Sequence, residues 1–178
     1  MSKGESNISI GAAELVEPSE ELKSELLAMA EEYRAAGDGR YDEVLEDADA
    51  YMRSVERYAR GVGLPPGHVS SHTFFLVHRG RVVGRSSLRH RLTPALELEG
   101  GHIGYDIRPS ARQRGYGTRI LALTLERARG LGLKRVLLTC DTDNTASARI
   151  IETNGGRLSG HAVSQRAGRP ISQYWIEL

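Results

Sequence analysis

The chain has 178 residues, 39% hydrophobic and 26% charged, with a formal net charge of +1. This is the composition of an ordinary globular protein, long enough for one domain with a full hydrophobic core, and it argues against a disordered or fibrous chain. No apolar run approaches bilayer-spanning length, the N-terminal MSKGESNISIG lacks the apolar centre of a signal peptide, and a lone cysteine, Cys140, excludes an internal disulfide framework; a cytoplasmic protein with no membrane partner is expected.

The small net charge conceals an asymmetry. Residues 1–60 carry 15 acidic and 7 basic side chains, whereas the remainder carries 8 and 17. An acidic front and a basic back predict two unlike surfaces, the second suited to a polyanionic ligand. Its arginines are not interleaved with aromatics, which argues against nucleic acid as that ligand.

In chain order, residues 1–9 read as a disordered polar tail and residues 10–178 as a single domain. Residues 12–17 read as a short first strand. Ser19, followed by Glu20 and Glu21, is an N-cap with acidic first-turn residues, after which Leu22, Leu26, Met29, Ala30 and Tyr33 recur at helical spacing. A second helix is expected over residues 41–60, with Val44, Ala48, Tyr51 and Val55 on its apolar face and Asp42, Glu43, Glu46, Asp47 and Asp49 opposite. From Thr73 the period shortens to that of a strand. Residues 73–77 and 82–88 form a hairpin, and a loop containing Pro94 leads to a third strand over residues 101–108. A helix over 118–129, a buried strand over 134–140, a short helix over 144–154 and a terminal hairpin of 157–164 with 171–177 complete the order β-α-α-β-β-β-α-β-α-β-β. The fold class is therefore α/β: a mixed, mostly antiparallel sheet with a central parallel βαβ unit.

The informative stretch lies inside that unit. Arg112-Gln113-Arg114-Gly115-Tyr116-Gly117-Thr118 joins a strand pattern to a helix pattern. A glycine turn that opens a helix leaves backbone N–H groups unpaired, with the positive end of the helix dipole behind them, and so binds phosphate or pyrophosphate. The N–H groups of Arg114 to Thr118 would do the holding, with Arg112, Arg114 and Arg119 adding long-range attraction. Gly115 and Gly117 are read as positions where a Cβ would obstruct the phosphate or strain the turn. Other anion-binding patterns fail on residues: no Gly-Lys-Ser/Thr run follows a P-loop glycine, and Ile120 stands where a dinucleotide motif needs its third glycine. His68 and His72 follow Pro-Pro-Gly with no evident third ligand, so no metal is expected.

With the turn and the element order in hand, the chain resembles the GNAT superfamily of N-acetyltransferases. Arg112-x-x-Gly115-x-Gly117 matches that family's Gln/Arg-x-x-Gly-x-Gly/Ala loop, Asn144 with Ser147 matches its Asn after the next strand, and Asn154-Gly155-Gly156 stands where a Gly-aromatic pair is common. The resemblance implies acetyl-CoA as cosubstrate, held by Arg112, Gln113, Arg114, Gly115, Tyr116, Gly117 and Thr118 at the pyrophosphate, by Ile107 and Arg108 along the pantetheine arm, and by Asn144 and Ser147. It implies direct attack of a primary amine, from a small molecule or peptide, on the thioester, with a homodimer left open as the assembly. An acetyl group and a longer acyl group are not distinguished.

That reaction needs a base for the ammonium, a donor for the oxyanion and, where the thiolate is assisted, an acid. The Ile107 N–H is the family-style oxyanion donor. His102 leads as base because imidazole titrates near neutral pH, its structural alternative being a histidine bonded to a neighbouring strand; Asp106 shares its face and Tyr105 the other. Many family members carry a Tyr seven residues after the Asn, and here that position is Ile151. Tyr105, a water or an unassisted thiolate must replace it. A protein that binds coenzyme A without turning it over is the alternative function. Cys140, ending a buried strand, reads as a structural thiol rather than an acyl carrier.

Overall fold

The computed structural model describes residues 10–178, and the tail expected over residues 1–9 lies outside them. Four strands, β1 (Glu14–Val16), β2 (Ser71–His78), β3 (Arg81–Arg89) and β4 (Ile103–Ile107), pair in that order as one antiparallel sheet. A second sheet places β7 (Pro170–Glu177) between β5 (Arg135–Asp141) and β6 (Arg157–Val163), again antiparallel.

Side-chain alternation gives the first sheet two buried faces. Phe74 and Leu76 of β2 and Val83 and Leu88 of β3 pack against α5 (Tyr116–Gly130), which contributes Ile120, Leu121, Leu125 and Ala128 at helical spacing. Thr124 lies in the same stripe and is satisfied there, its hydroxyl 2.8 Å from Ser86 Oγ and donating to the Ile120 carbonyl at 2.7 Å. Truncating a fully buried residue of this stripe, such as Leu121, would cost about 2–5 kcal/mol. Phe75 and Val82 point the other way, into a smaller core with Leu26, Met29 and Tyr33 of α1 (Lys23–Ala35), Val44 of α2 (Asp42–Glu46) and Tyr51 of α3 (Ala48–Arg60).

Several boundaries differ from expectation, each for a local reason. The helix expected over residues 41–60 is broken at Asp47, which leaves helical geometry (φ −154°) so that its carboxylate can accept the Ala50 N–H at 2.8 Å and cap α3. Ser19 stands before a 3-10 turn, Glu20–Leu22, and makes no side-chain cap. The Pro94 loop contains α4 (Pro94–Leu98), capped by Thr93 with Pro at the start, a signal present in the sequence and too short to show as periodicity. α5 begins at Tyr116, two residues earlier than expected.

The unit β4–α5–β5 has no ladder between its two strands. They meet at one joint: His102 donates its backbone N–H to the Leu137 carbonyl at 2.7 Å, and its ring Nδ1 accepts the Leu137 N–H at 2.9 Å. Gly101 lets the chains approach, since a Cβ there would lie 2.2 Å from the Leu137 oxygen. Further along, Tyr105 reaches Ser147 at the start of α6 (Thr145–Thr153), beyond the end of β5. No ladder links β4 to β5 among the described residues, and beyond the joint the two part.

Candidate active site

The site is the gap between β4 and β5 with the turn that leads into α5. The chain leaves β4 through Pro109–Ala111, a single 3-10 turn, and Gln113 and Gly115 then take left-handed geometry (φ 59° and 86°) on either side of Arg114. The first N–H of α5 to find a carbonyl four residues back is that of Arg119, which donates to Gly115 at 3.1 Å. Among the described residues, no protein acceptor meets the N–H groups of Gln113, Arg114, Gly115, Tyr116, Gly117 and Thr118. These donors sit at the positive end of a 15-residue helix, the arrangement that binds a phosphate. The turn is exposed, whereas Tyr116 is buried behind it with its hydroxyl 2.5 Å from His78 Nδ1, which fixes the helix start to the end of β2.

The arginines divide differently from the sequence reading. Arg112 donates to the Ile107 carbonyl at 3.1 Å and lies over the Tyr33 ring, and Arg119 donates to the Gly11 and Ala13 carbonyls. Both serve the fold. Arg114 is exposed and borders a cavity of about 550 Å³ together with Arg79, Arg81 and Gln113, so it and the hairpin arginines carry the positive field beside the turn. Arg108 is buried, its guanidinium pairs with Glu32 (2.7 Å) and Glu25 (3.1 Å) of α1, and its backbone is bonded within the fold, the N–H to the Val83 carbonyl and the carbonyl by the Ala111 N–H. Gly117 also has another reason than the phosphate. A Cβ there would stand 2.5 Å from Ile150 Cδ1, so the glycine lets α5 pack on α6.

Along β4, alternation sets which amides face the gap. The Arg108 N–H donates to the Val83 carbonyl, inside the first sheet, so the preceding Ile107 N–H points away from β3 toward the open edge. The Ile107 carbonyl is held by the Tyr33 hydroxyl at 2.8 Å as well as by Arg112. These bonds hold the Ile107–Arg108 peptide, the next one along from the Asp106–Ile107 peptide whose N–H faces the gap.

The three side chains expected to act are separated by the sheet. His102 is 7% exposed, with its ring edge against Trp175. Because Nδ1 accepts the Leu137 amide, the neutral ring carries its proton on Nε2 and has no free lone pair to offer an amine; burial and the Arg89 charge also push its pKa down. His102 is a joint between sheets, and its assignment as base is corrected accordingly. Asp106 lies on the face covered by α1 and accepts the Tyr41 hydroxyl at 2.6 Å and the Tyr33 hydroxyl at 3.2 Å. Tyr105 is on the opposite face, in the gap, with its hydroxyl 3.0 Å from Ser147 Oγ, and burial pushes its pKa up to about 12. It remains a proton donor at any physiological pH.

Asn144 caps α6, its side-chain oxygen accepting the Ser147 N–H at 3.0 Å. Ile151 is buried in the core, as its hydrophobicity requires. Cys140 has its thiol pKa pushed up by burial, which disfavours the thiolate an acyl carrier would need.

On the α3 side of the first sheet a groove of about 710 Å³ runs to the Thr139–Asp141 end of β5. Sequence reasoning missed its polar furniture. Tyr58 and His68 face one another there, hydroxyl to Nδ1 at 2.5 Å, and Glu43 lies nearby. No periodicity links these residues; only the fold brings the residues 61–70 loop over α3. No group of His, Cys, Asp and Glu among the described residues is placed to hold a metal, and no described helix is long and apolar enough to cross a membrane.

Comparison with known proteins agrees with this geometry. The family model for the GNAT acetyltransferase domain matches residues 15–157, so the chain belongs to the GNAT acetyltransferase family. Similar solved structures include RimL, a ribosomal alpha-N-protein acetyltransferase in complex with coenzyme A (17% identity, 94% of each chain covered, TM-score 0.71). RimJ of Mycobacterium smegmatis in complex with CoA-disulfide is 17% identical over 95% of this chain and 83% of that one, with a TM-score of 0.74. The microcin C7 self-immunity acetyltransferase MccE, in complex with acetyl-CoA and AMP, is 14% identical over 94% and 93%, with a TM-score of 0.72. No curated protein is significantly similar in sequence. The chain is an acyltransferase that uses acetyl-CoA, and the six free amides of the turn, with the open edge of β4 beside them, fit the pyrophosphate and pantetheine of that cosubstrate.

Proposed function

We propose that this acetyltransferase moves the acetyl group of acetyl-CoA directly onto a primary amine of a small molecule or peptide in the cytoplasm. The observation that carries the reading is the alignment of three elements: the free amides at the start of α5, the Ile107 N–H facing the gap, and the groove that meets the same gap from the α3 side. A new C–N bond forms as the C–S bond breaks, the amine loses a proton, and the sulfur takes one.

In that scheme the turn at Gln113–Thr118 binds the pyrophosphate through its backbone. The Ile107 N–H, one peptide before the carbonyl that Tyr33 and Arg112 hold, receives the negative charge that develops on the acyl oxygen. The Tyr105 hydroxyl gives its proton to the departing sulfur and replaces the tyrosine that Ile151 displaces. His68, oriented by Tyr58, is the imidazole that faces the groove and takes the place first read for His102 in accepting the amine proton. A thiol-release assay with acetyl-CoA and a panel of primary amines, alongside calorimetric titration of acetyl-CoA, tests the reading. Release that depends on an amine supports it. Tight binding with no release on any amine would instead leave a coenzyme A-binding protein without catalysis.

A further inference from the structure

Arg85, Ser87 and Arg89 alternate along β3 with Ser86 and Leu88, so all three face the groove. Neither of the two guanidiniums has a carboxylate within ion-pair distance, although Asp106 across the ladder acts on Arg85 through its charge. Arg85 Nε is buried with no hydrogen-bond partner, and Arg89 is bound only to the carbonyls of Gly100 and Gly101, at 3.2 and 3.0 Å. Among the described residues neither arginine makes an ion pair. Arg166, on the opposite wall, is in the same condition. Burial, with the neighbouring Arg85 and Arg166 charges, pushes the Arg89 pKa down, whereas at Arg85 burial is outweighed by Tyr51, Tyr41 and Asp106, which hold its pKa up.

The acids nearby are already committed. Asp106, across the ladder from Arg85, accepts the Tyr33 and Tyr41 hydroxyls, Asp141 pairs with Arg169 at 3.0 Å, and Glu99 accepts the Ser164 hydroxyl at 2.8 Å. A second orphan stands above the strand: Tyr51 of α3 is 7% exposed, lines the groove, and has a buried hydroxyl with no partner. Buried charges and hydroxyls are normally satisfied, and here Arg85 Nε and the Tyr51 hydroxyl, beside Arg89 in the lining of one groove, keep hydrogen-bonding capacity unused. What is missing is an acceptor with a negative charge.

We propose that the amine acceptor also carries a carboxylate, which is bound between Arg85 and Arg89 and accepts the Tyr51 hydroxyl. A planar guanidinium matches a carboxylate in shape as well as charge. Glu43, exposed at the groove mouth and free of ion pairs among the described residues, then attracts the ammonium of the same molecule. The acceptor is thus an amino acid or a peptide with a nearby acidic group, rather than a polyamine. This inference rests on the acetyl-transfer reading and concerns its second substrate.

The test pairs each acceptor with its own amide: glycine, β-alanine and glutamate against glycinamide, β-alaninamide and the diamide of glutamate, with acidic and amidated dipeptides and spermidine alongside. Thiol release is measured with the full chain and with Arg89→Gln and Tyr51→Phe. The carboxylates are expected to exceed their amides in kcat/KM by about tenfold or more, the effect of a charge-assisted hydrogen bond, and both variants to bring the ratio near one. Tyr51→Phe removes an unsatisfied buried hydroxyl, so it should raise the melting temperature while lowering carboxylate use, a pairing that a merely structural role would not produce. Preference for free amino acids over dipeptides, or the reverse, identifies the source. Equal use of amides, a preference for spermidine, or discrimination intact in Arg89→Gln would overturn the proposal. Calorimetry of the same carboxylates on the coenzyme A-saturated protein separates the two readings. Carboxylate binding that Arg89→Gln abolishes, without release on any amine, sinks acetyl transfer and keeps the anion site; release with amides and no carboxylate binding does the opposite.

Discussion

The Tyr105 hydroxyl stands 3.0 Å from the Ser147 hydroxyl and spans the space where β4 and β5 part, tying the strand to the first turn of α6. In the proposed scheme this phenol, which burial holds protonated, supplies the acid that the core residue Ile151 cannot. Tyr105→Phe should lower kcat by about tenfold, at the small end of general-acid effects because a thiol with a pKa of about 8.5 is already a fair leaving group. The Michaelis constant for acetyl-CoA should change little, since the pyrophosphate turn is untouched. An unaltered kcat would show that sulfur leaves without help from this residue.

His102 should behave as a joint. Replacing it with Ala leaves the buried Leu137 amide without an acceptor, at a cost of about 1–3 kcal/mol in a denaturant melt. Its folded pKa is depressed, so the unfolded chain binds the extra proton first. The stability that it contributes is complete above the unfolded value of about 6.5 and is lost as pH falls through the lower folded value. His102→Ala should flatten that part of the stability–pH curve and leave the pH–rate profile in place, whereas His68→Gln should lower kcat. A rate profile that moves with His102 would restore it as the base.

These two residues also show where sequence reading reaches its limit. The element order and the anion-binding turn were legible because each depends on neighbours: apolar spacing makes α5, and Gly115 must sit at positive φ before a helix. The role of His102 depends on Leu137, 35 residues away, and the groove depends on the residues 61–70 loop folding over α3. Arg112 looked like an anion binder because a guanidinium is the same side chain whether it meets phosphate or, as here, the Ile107 carbonyl and the Tyr33 ring of α1. Only the approach of α1 decides between them. Glycine is ambiguous in the same way, and Gly115 and Gly117 separate only when α6 is in place.

That separation is measurable. Gly117→Ala places a methyl against Ile150 Cδ1, an overpacking cost of about 1–3 kcal/mol set against a helix gain of up to about 1 kcal/mol. Ile150→Val removes the atom that the new methyl meets, so the double variant should recover most of the loss, with a coupling of at least about 0.5 kcal/mol. Gly115→Ala forces a side chain into left-handed geometry at about 1–2 kcal/mol, and Ile150→Val should not rescue it. Additive behaviour of Gly117→Ala and Ile150→Val would mean that the glycine serves the phosphate after all.

Arg108 links the end of β4 to α1 and thereby holds the start of the cofactor turn. Its guanidinium, only 5% exposed, donates to Glu32, Glu25 and the Val82 carbonyl, while Glu32 also accepts the Ser110 N–H at 3.2 Å. Arg108→Ala strands two partly buried carboxylates and should cost about 3 kcal/mol, whereas Arg108→Met refills the volume and should cost less. Partial burial favours the neutral form of Glu32, but the Ser110 and Arg108 donors outweigh it and hold its pKa below the usual carboxylate value. That stabilisation is present above the unfolded value of about 4.3 and is lost as pH falls through the folded one, so the acid limb of the melt should shrink in Arg108→Met. Because Ser110 opens the turn, both variants should also weaken acetyl-CoA binding by calorimetry. A variant that loses stability but keeps full affinity would separate the turn from the ion pair at the end of β4.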